Sequence, residues 1–525
     1  MNETNQPEEN SAPQQTPATK RSWRDLGVGQ FKMLLRNPVS LAGSALALVS
    51  LANILFFFLI DFISPHRNPY IGILAYMVLP AFLLLGLSLL PIGMWLERRR
   101  VLRAAPGELP LYPILDLNVR SQRKTLAAVV AFGVVFLLLS AVGSYRAFEY
   151  TESVEFCGQL CHTVMNPEHV AYQLSPHARV RCVDCHVGSG ASWYVRSKLS
   201  GARQVVKTIM GTYPRPIPSP VENLRPAAET CETCHWPSKF HGAQLRVFTH
   251  FGTDEKNTPR QVRLLIKTGG GDPRTGPAEG IHWHMNISNE ITYAATDPKR
   301  QVIPYIRVKD SQGRITEYLS KDASLTLDQA RKATARRMDC VDCHNRPTHV
   351  YVPPDRAIDR DMTVGNIDPS LPFIKQAALT VLTATYDTTP KALDGIATGI
   401  HQFYQSKYPQ VESQQGPQLQ RAIAELQRIY QTTTFPEMKL DWKTHPDNIG
   451  HFYYQGCFRC HDGQHQSADG RLIRKDCDLC HTMLGQDEGQ SAPMAKVQSV
   501  PFQHPVDLGD MTQVNCSDCH TGGPQ

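Results

Sequence analysis

The chain has no cysteine to spare for a disulfide bond, a zinc site or a catalytic nucleophile. All fourteen cysteines fall into seven short segments that each end in a histidine. Six segments read Cys-x-x-Cys-His, and the earliest has three spacer residues instead of two. Numbered in chain order, motifs 1 to 7 are Cys157/Cys161/His162, Cys182/Cys185/His186, Cys231/Cys234/His235, Cys340/Cys343/His344, Cys457/Cys460/His461, Cys477/Cys480/His481 and Cys516/Cys519/His520.

The chemistry of such a segment points to covalently bound haem. Its two thiols can form thioethers with the porphyrin vinyl groups, and the adjacent histidine is placed to bind the iron. A single copy would fit half of a zinc ribbon or a dithiol redox site equally well. Seven copies, each with its histidine, predict seven c-type haems. In motif 1 the added residue changes where the thiol meets the vinyl group.

Charged side chains are nearly absent from three apolar stretches near the N-terminus. Val39–Phe62, Ile71–Leu96 and Thr125–Val142 contain no Lys, Arg, Asp or Glu except Asp61. Each is long enough, or nearly so, to cross the hydrocarbon core, so they predict three transmembrane helices. They also lack histidine, which excludes axial ligands for b-type haems inside the membrane.

Basic residues around these stretches predict the orientation. The short connection between the first two stretches carries only Arg67 as a fixed cation. The other flanks are rich in cations: Lys20, Arg21, Arg24, Lys32 and Arg36, then Arg98, Arg99, Arg100, Arg103, Arg120, Arg123 and Lys124. The positive-inside rule then places the N-terminus in the cytoplasm and the haem motifs in the periplasm of a bacterial inner membrane. A signal peptide is the alternative for the first stretch, but its length favours an uncleaved anchor.

Motif density and hydrophobic pattern divide the chain. We expect a mainly α-helical and irregular multihaem cytochrome c with three N-terminal transmembrane helices and a small β-rich insertion. Nothing in the charge pattern suggests nucleic acid as a partner. The predicted parts are a disordered tail and basic flank (1–38), a membrane anchor (39–145), a three-haem domain (146–242), the β-rich insertion (243–335), a one-haem segment with helices (336–440) and a C-terminal three-haem domain (441–525).

Each haem iron needs a sixth ligand, usually a second histidine or a methionine in electron-transfer sites. Twelve histidines outside the motifs follow the anchor. Position beside or between motifs favours His177, His241, His282, His284, His349, His465 and His504, with His445 and His451 as alternates. The other three, His169, His250 and His401, are interpreted as ordinary helix, strand or loop residues. His66, which lies between the first two apolar stretches, is interpreted as a loop residue.

Three segments carry a resemblance to a known family. They are Phe156-Cys-Gly-Gln-Leu-Cys-His-Thr-Val-Met-Asn-Pro-Glu, Ser175-Pro-His-Ala-Arg-Val-Arg-Cys-Val-Asp-Cys-His-Val-Gly and Tyr194-Val-Arg-Ser-Lys-Leu-Ser-Gly. They resemble the NapC/NirT family of membrane-anchored quinol dehydrogenases over roughly residues 145 to 240. With three spans and seven haems, the whole chain is more similar to the heptahaem inner-membrane cytochromes of metal-reducing bacteria, the ImcH type. Met338-Asp-Cys-Val-Asp-Cys-His-Asn-Arg-Pro and Gly456-Cys-Phe-Arg-Cys-His-Asp-Gly are similar to that type as well.

The resemblance implies a path for electrons from menaquinol through the haems to periplasmic c-type cytochromes or another periplasmic acceptor. It implies that Met165 binds the first haem iron and that Lys198 lies near the quinol ring, where a cation favours proton loss. Arg196, Arg203 and Gln204 are the polar neighbours of Lys198, and no acidic partner is evident in the sequence. Core packing for Met165 and an interfacial position for Lys198 are the structural alternatives.

Two other functions stay open at this point. A terminal multihaem reductase would bind substrate at an open haem and would need acid and base groups around it. A conduit would receive electrons from a partner dehydrogenase rather than from quinol. A quinol:cytochrome c oxidoreductase is the preferred hypothesis.

Overall fold

The described residues of the computed structural model are 37–63, 79–103, 117–160, 162–188, 191–221, 224–270, 280–285, 289–333, 335–488, 499–509 and 514–524. The helices are α1 (Pro38–Ile63), α2 (Leu79–Arg103), α3 (Arg120–Thr151), α4 (Val154–Gln159), α5 (His162–Gln173), α6 (Cys182–His186), α7 (Ala191–Ile209), α8 (Ala227–Thr230), α9 (Leu327–Lys332), α10 (Cys340–Cys343), α11 (Pro354–Thr363), α12 (Ile374–Leu382), α13 (Thr389–Lys407), α14 (Pro409–Gln414), α15 (Gly416–Thr433) and α16 (Cys516–Cys519). The strands are β1 (Gln244–Phe251), β2 (Pro259–Ile266), β3 (Glu290–Ala294), β4 (Tyr305–Lys309), β5 (Ile315–Ser320), β6 (Arg336–Arg337), β7 (His465–Ser467) and β8 (His481–Glu488). This confirms a mixed, mainly helical fold with small sheets.

The first of two compact units comprises residues 1–149 and 190–192. Within the described residues, α1 and α2 are long and apolar enough, by length and composition, to cross a membrane. The third predicted span lies inside the 32-residue helix α3, and its crossing of the membrane stays a prediction. Residues 1–36 of the predicted tail and basic flank (1–38) lie outside the described residues, as does Arg67.

Small residues let α1 and α2 approach closely. A Cβ atom on Gly43 would lie 2.7 Å from the carbonyl oxygen of Gly86, and one on Gly86 would lie 2.8 Å from the carbonyl oxygen of Gly43. Ser40 adds a hydrogen bond from its hydroxyl to the carbonyl oxygen of Leu90 at 3.1 Å. Such contacts between small residues are typical of helices that pack in lipid.

The second unit, residues 150–189 and 193–525, carries all seven motifs and two antiparallel sheets. One sheet has the order β1-β2-β8 and the other has the order β6-β3-β4-β5-β7. Strands β1 to β5 lie inside the predicted β-rich insertion. The sheets are not built from the predicted insertion alone, because β7 and β8 come from the C-terminal segment. Long-range pairing between β2 and β8 has no local signal in the sequence.

A haem-free helical core follows motif 4. Helices α11 to α15 bury an apolar set that includes Ile358, Leu371 and Ile396, each fully buried. Leu419, Ile423, Leu426 and Ile429 recur at helical spacing in α15 and are all buried in this core. Burying each of these side chains stabilises the fold by roughly 1.5–3 kcal/mol. Two prolines fall at helix starts, where proline is tolerated: Pro390 is in the first turn of α13 and Pro409 begins α14.

Candidate haem sites and electron-input site

Short helical turns present the attachment motifs. Motifs 2, 4 and 7 form α6, α10 and α16, and motifs 3, 5 and 6 form 3₁₀ turns. In these turns the histidine amide often donates to the first cysteine's carbonyl, at 2.8 Å from His344 to Cys340 and at 2.8 Å from His520 to Cys516. Every described cysteine is a free thiol. The turn therefore holds two thiols and one imidazole within a single short segment. Cys161 and the side chain of His162 lie outside what the structure describes.

Each motif histidine whose ring is described has one other histidine ring opposite it. Two imidazoles on one iron, each bonded at about 2 Å with its ring centre roughly 1 Å further back, have centres about 6 Å apart. The six observed centroid distances cluster at that value: His186–His349 6.2 Å, His235–His177 5.9 Å, His344–His282 6.2 Å, His461–His284 5.8 Å, His481–His451 6.2 Å and His520–His504 6.2 Å.

Backbone carbonyls orient many of these rings. The Nδ1–H group of His349 donates to the carbonyl oxygen of Glu168 at 3.0 Å, and that of His282 donates to Thr268 at 2.6 Å. Four other histidines donate from Nδ1 to a backbone carbonyl oxygen: His177 to Pro347, His284 to Ile281, His461 to Arg474 and His504 to Val506. Because Nδ1 holds the proton, Nε2 keeps its lone pair free to bind a metal ion. The residues therefore fit haem ligation in both spacing and tautomer.

Burial also favours the neutral imidazole in most of these sites. Loss of hydration disfavours the charged ring and lowers its pKa. This lowering applies to His186, His284, His344, His349, His451, His461, His481 and His520. Neutral histidine is the form that binds a metal ion.

Two of the histidines favoured as sixth ligands, His465 and His241, do not stand opposite a motif histidine in the described residues. His465 is 1% exposed, with Nε2 hydrogen-bonded to the carbonyl oxygen of Ile303 at 2.7 Å and Nδ1 to Asp462 at 2.9 Å. His241 is exposed, and its ring does not face a motif histidine in the part of the chain that the structure describes. The alternate His451 is the residue opposite His481. Its position six residues before motif 5 is the only sequence signal that favoured it.

The remaining histidines make other contacts. His250 and His401 pair with Asp359 and Glu412, and His445 is buried. His169 packs against the backbone of motif 1, because a Cβ atom on Gly158 would lie 2.3 Å from its Cδ2. His66 lies outside the described residues.

The structure supplies the acidic partner that the sequence did not reveal for Lys198. The Lys198 Nζ donates to Glu152 Oε1 at 2.6 Å, and the two side chains are 38% and 5% exposed. The second carboxylate oxygen, Oε2, is buried and has no hydrogen-bond partner among the described residues. The two residues are separated by 46 positions, so only their common closeness to motifs 1 and 2 could have suggested the pair.

Two of the other predicted neighbours of Lys198 have partners of their own. The Arg196 guanidinium lies 5.5 Å from the centre of the Trp193 ring, and Gln204 donates to the Ser200 hydroxyl at 3.3 Å. Arg203 is exposed, and Met165 is half-buried on α5. Lys198 alone of the four predicted quinol-site residues therefore contacts a buried acid.

Thiols of consecutive motifs lie next to one another. The hydrogen bond between the thiols of Cys157 and Cys182 raises the pKa of Cys157 and lowers that of Cys182 to about 7. A second bond of this kind joins Cys231 of motif 3 with Cys340 of motif 4. For the other neighbours in chain order, the charge of one thiol raises the pKa of another: Cys234 acts on Cys185, Cys457 on Cys343 and on Cys480, and Cys477 on Cys516.

Known proteins are similar to this chain, both over one N-terminal region and over nearly its full length. Residues 119–217 match the NapC/NirT cytochrome c family, N-terminal region. The chain is 47% identical over 487 residues to the cytochrome c-type protein ImcH of Geobacter sulfurreducens, which covers 93% of this chain and 95% of that relative. It is 31% identical over 148 residues to the cytochrome c nitrite reductase subunit NrfH of Nitratidesulfovibrio vulgaris, 28% of this chain and 89% of that subunit. No solved structure matches the chain.

Proposed function

The chain belongs to the NapC/NirT family of membrane-anchored multihaem cytochromes c, which transfer electrons, and from this premise we propose that its electron donor is menaquinol. Electrons would leave through seven covalently bound haems to a periplasmic c-type cytochrome or another periplasmic carrier. The N-terminus would lie in the cytoplasm and the motifs in the periplasm. The contact between Lys198 and the buried Glu152 beside motif 1 is the observation that carries the proposal.

Covalent haem attachment is assigned to all fourteen motif cysteines and axial ligation to the paired histidines. Haem iron, when bound, carries one electron at a time by cycling between its ferric and ferrous states. The proposed histidine pairs are those whose rings lie about 6 Å apart. For motif 1 we propose His162 and Met165 as ligands. The proposal prefers His451 to His465 because both ring nitrogens of His465 are already hydrogen-bonded.

Quinol oxidation releases two protons and two electrons for each quinol, so the site needs a proton acceptor as well as an electron acceptor. Glu152 Oε2 can accept a proton because no described group occupies it, while Oε1 stays bonded to Lys198. The Lys198 side chain is 38% exposed, so its ammonium can donate a hydrogen bond to the quinol oxygen. As a cation it also stabilises the quinolate that forms when the first proton leaves.

Helix α7, which carries Lys198, has an apolar stripe suited to a lipid-soluble substrate. Val195, Leu199, Val206 and Ile209 recur at helical spacing and are all exposed, Ile209 by 81%. The segment 191–221 has five cations and no Asp or Glu. A helix with an exposed apolar stripe beside cations is typical of the interface with anionic lipids, where menaquinol would be available. This supports, independently of the comparisons, a quinol site at the membrane surface.

Motifs that follow one another in the sequence also lie near one another, which supports a single electron path from motif 1 to motif 7. The Lys198–Glu152 pair lies beside Cys157 of motif 1, since both charges act on that thiol. Electrostatic influence between thiols of consecutive motifs then follows the chain order to motif 7. Electrons taken at motif 1 would therefore leave near motif 7, where the periplasmic carrier would dock.

The test is anaerobic stopped-flow mixing of the oxidised full chain in nanodiscs with a menaquinol analogue, followed by haem absorption. We expect wild type to be reduced and Lys198→Ala to be slowed by at least about tenfold, because a positioned acid–base group typically contributes 10²–10⁴ in rate. Lys207→Ala, an exposed lysine on the same helix, is the matched control and should react as wild type does. If menaquinol leaves wild type oxidised while dithionite reduces it, a partner dehydrogenase or a reductase function replaces this proposal.

A further inference from the structure

Three buried polar side chains near motif 4 converge without enough acceptors. Arg346, Tyr351 and His445 are 6%, 3% and 6% exposed. Arg346 Nη2, Tyr351 Oη and both ring nitrogens of His445 have no hydrogen-bond partner among the described residues. We name these three residues the donor pocket.

Contacts between the rings and the guanidinium define this pocket. The Arg346 Cζ atom lies 5.0 Å from the centre of the Tyr351 ring, which lies 6.4 Å from the centre of the His445 ring. The rest of the Arg346 guanidinium is anchored, because Nε donates to the carbonyl oxygen of His349 and Nη1 donates to Ser219 Oγ at 3.3 Å. Its Nη2 group is therefore fixed in position while lacking an acceptor.

One carboxylate reaches the pocket. Glu168 forms an ion pair with Arg346 at 3.5 Å from Nη2, outside good hydrogen-bond geometry, and lies 3.0 Å from His349 Nδ1. Burial, followed by the charge of Arg346, lowers the pKa of His445 to about 4, so its ring is neutral at neutral pH and keeps one N–H donor. Buried donors that make no hydrogen bond are costly unless a further acceptor, such as an anion or water, meets them.

The chain places this pocket on both sides of one proposed haem ligand. Arg346 precedes His349 by three residues and Tyr351 follows it by two, and the His349 ring stands opposite His186 of motif 2. Haem brings two propionate carboxylates with it, and these are the acceptors that a guanidinium, a phenol and a neutral imidazole bind. We propose that Arg346, Tyr351 and His445 bind a propionate of the haem held between His186 and His349.

The inference rests on the proposed haem attachment at motif 2 and is independent of quinol oxidation. Its consequence is electrostatic. A donor on a propionate compensates its negative charge and so makes reduction of the nearby iron easier. Removal of one donor should therefore lower the reduction potential of one haem and leave the others in place.

Tyr351→Phe removes the hydroxyl and keeps the ring in its apolar surroundings. We expect an anaerobic spectroelectrochemical titration of the full, haem-loaded chain to show one transition shifted to lower potential. Tyr404→Phe is the matched control, because it removes another buried hydroxyl, bonded to the Pro372 carbonyl oxygen at 2.9 Å in the haem-free helical core. That variant should leave every potential unchanged. Unshifted potentials in Tyr351→Phe would overturn the inference.

Two further measurements keep the outcomes separate. Haem counting by intact mass spectrometry shows whether motif 2 carries haem, so a missing haem contradicts the proposed function rather than only the donor pocket. A cryo-electron-microscopy map of the wild-type chain, which needs no variant to fold, should place a propionate oxygen within hydrogen-bond distance of Arg346 Nη2. Ordered water alone at these three side chains would overturn the inference.

Discussion

Single backbone contacts decide which histidines in this chain are free to bind iron. His349 and His282 give their Nδ1 protons to carbonyl oxygens and expose Nε2, whereas His465 has both nitrogens hydrogen-bonded. The sequence predicted the first two from their closeness to motifs. It favoured His465 over the alternate His451, because both lie within six residues of motif 5 and the long-range neighbours that distinguish them, such as Ile303, have no local signal.

The two histidines beside motif 5 make a direct test. His451→Ala should remove one axial ligand from the haem of motif 6 and leave it high-spin in the oxidised state, since no second histidine stands opposite His481 in the described part. His465→Ala should leave every haem low-spin, although it breaks two buried hydrogen bonds. Electron paramagnetic resonance of both oxidised variants measures this. A high-spin signal in His465→Ala and none in His451→Ala would reverse the assignment.

Glu152 allows a second test at the residue scale. Glu152→Gln keeps the shape of the side chain but removes its basicity, so we expect quinol-driven haem reduction to slow by at least about tenfold. Glu155→Gln, an exposed acid on α4, should not change the rate. Stopped-flow absorption with the same quinol analogue compares the two, and haem counting confirms equal loading. Equal rates for wild type and Glu152→Gln would exclude Glu152 as the proton acceptor.

Among the elements, one short turn carries two of the proposed haem ligands. The 3₁₀ turn Ile281–Met285 holds His282 opposite His344 and His284 opposite His461. Two rings only two residues apart thus face motifs 4 and 5, and the spacing between those haems is fixed by one piece of backbone. The sequence indicated both histidines but not that they serve different motifs, since their partners follow about 60 and 180 residues later.

We expect the loss of His282 and the loss of His284 to have additive effects on haem spin state. His282→Ala and His284→Ala should each produce one high-spin haem, and the double variant should produce two, because each ring faces a different motif histidine. Spin quantification of the oxidised proteins by electron paramagnetic resonance gives the number directly. A single high-spin haem in the double variant would mean that both histidines serve one iron.

A buried lysine in the helical core allows a test of stability in a part of the chain that has no attachment motif. Lys375 is 1% exposed and contacts the carboxylates of Asp355 and Asp359, the former at 2.5 Å. Lys375→Met should lower the free energy of unfolding by about 3–5 kcal/mol, since two carboxylates lose their buried cation. Lys391→Met is the control, because the pair of Lys391 with Asp387 is exposed and screened by solvent, so its loss should leave stability nearly unchanged. Hydrogen exchange in α11 to α13 measures both, and similar exchange in the two variants would contradict this account.

At the scale of the whole molecule, the proposed electron path follows the chain order. The proposal connects motif 1, beside the Lys198–Glu152 pair, with motif 7 through neighbours in sequence. Attachment motifs and the apolar spans could be predicted because their signals are local. The joining of β8 to β2, and of β7 to β5, could not, because the hydrophobic pattern of a strand does not name its partner.

The central claim is that quinol electrons cross this chain to a periplasmic carrier. It is tested most directly by placing the full chain in nanodiscs with a menaquinol analogue and following an oxidised soluble c-type cytochrome outside the lipid. The account predicts continuous reduction of that cytochrome, dependent on both quinol and the chain. If the cytochrome stays oxidised with quinol but is reduced when the chain has first been reduced by dithionite, quinol is not the donor and the account is contradicted.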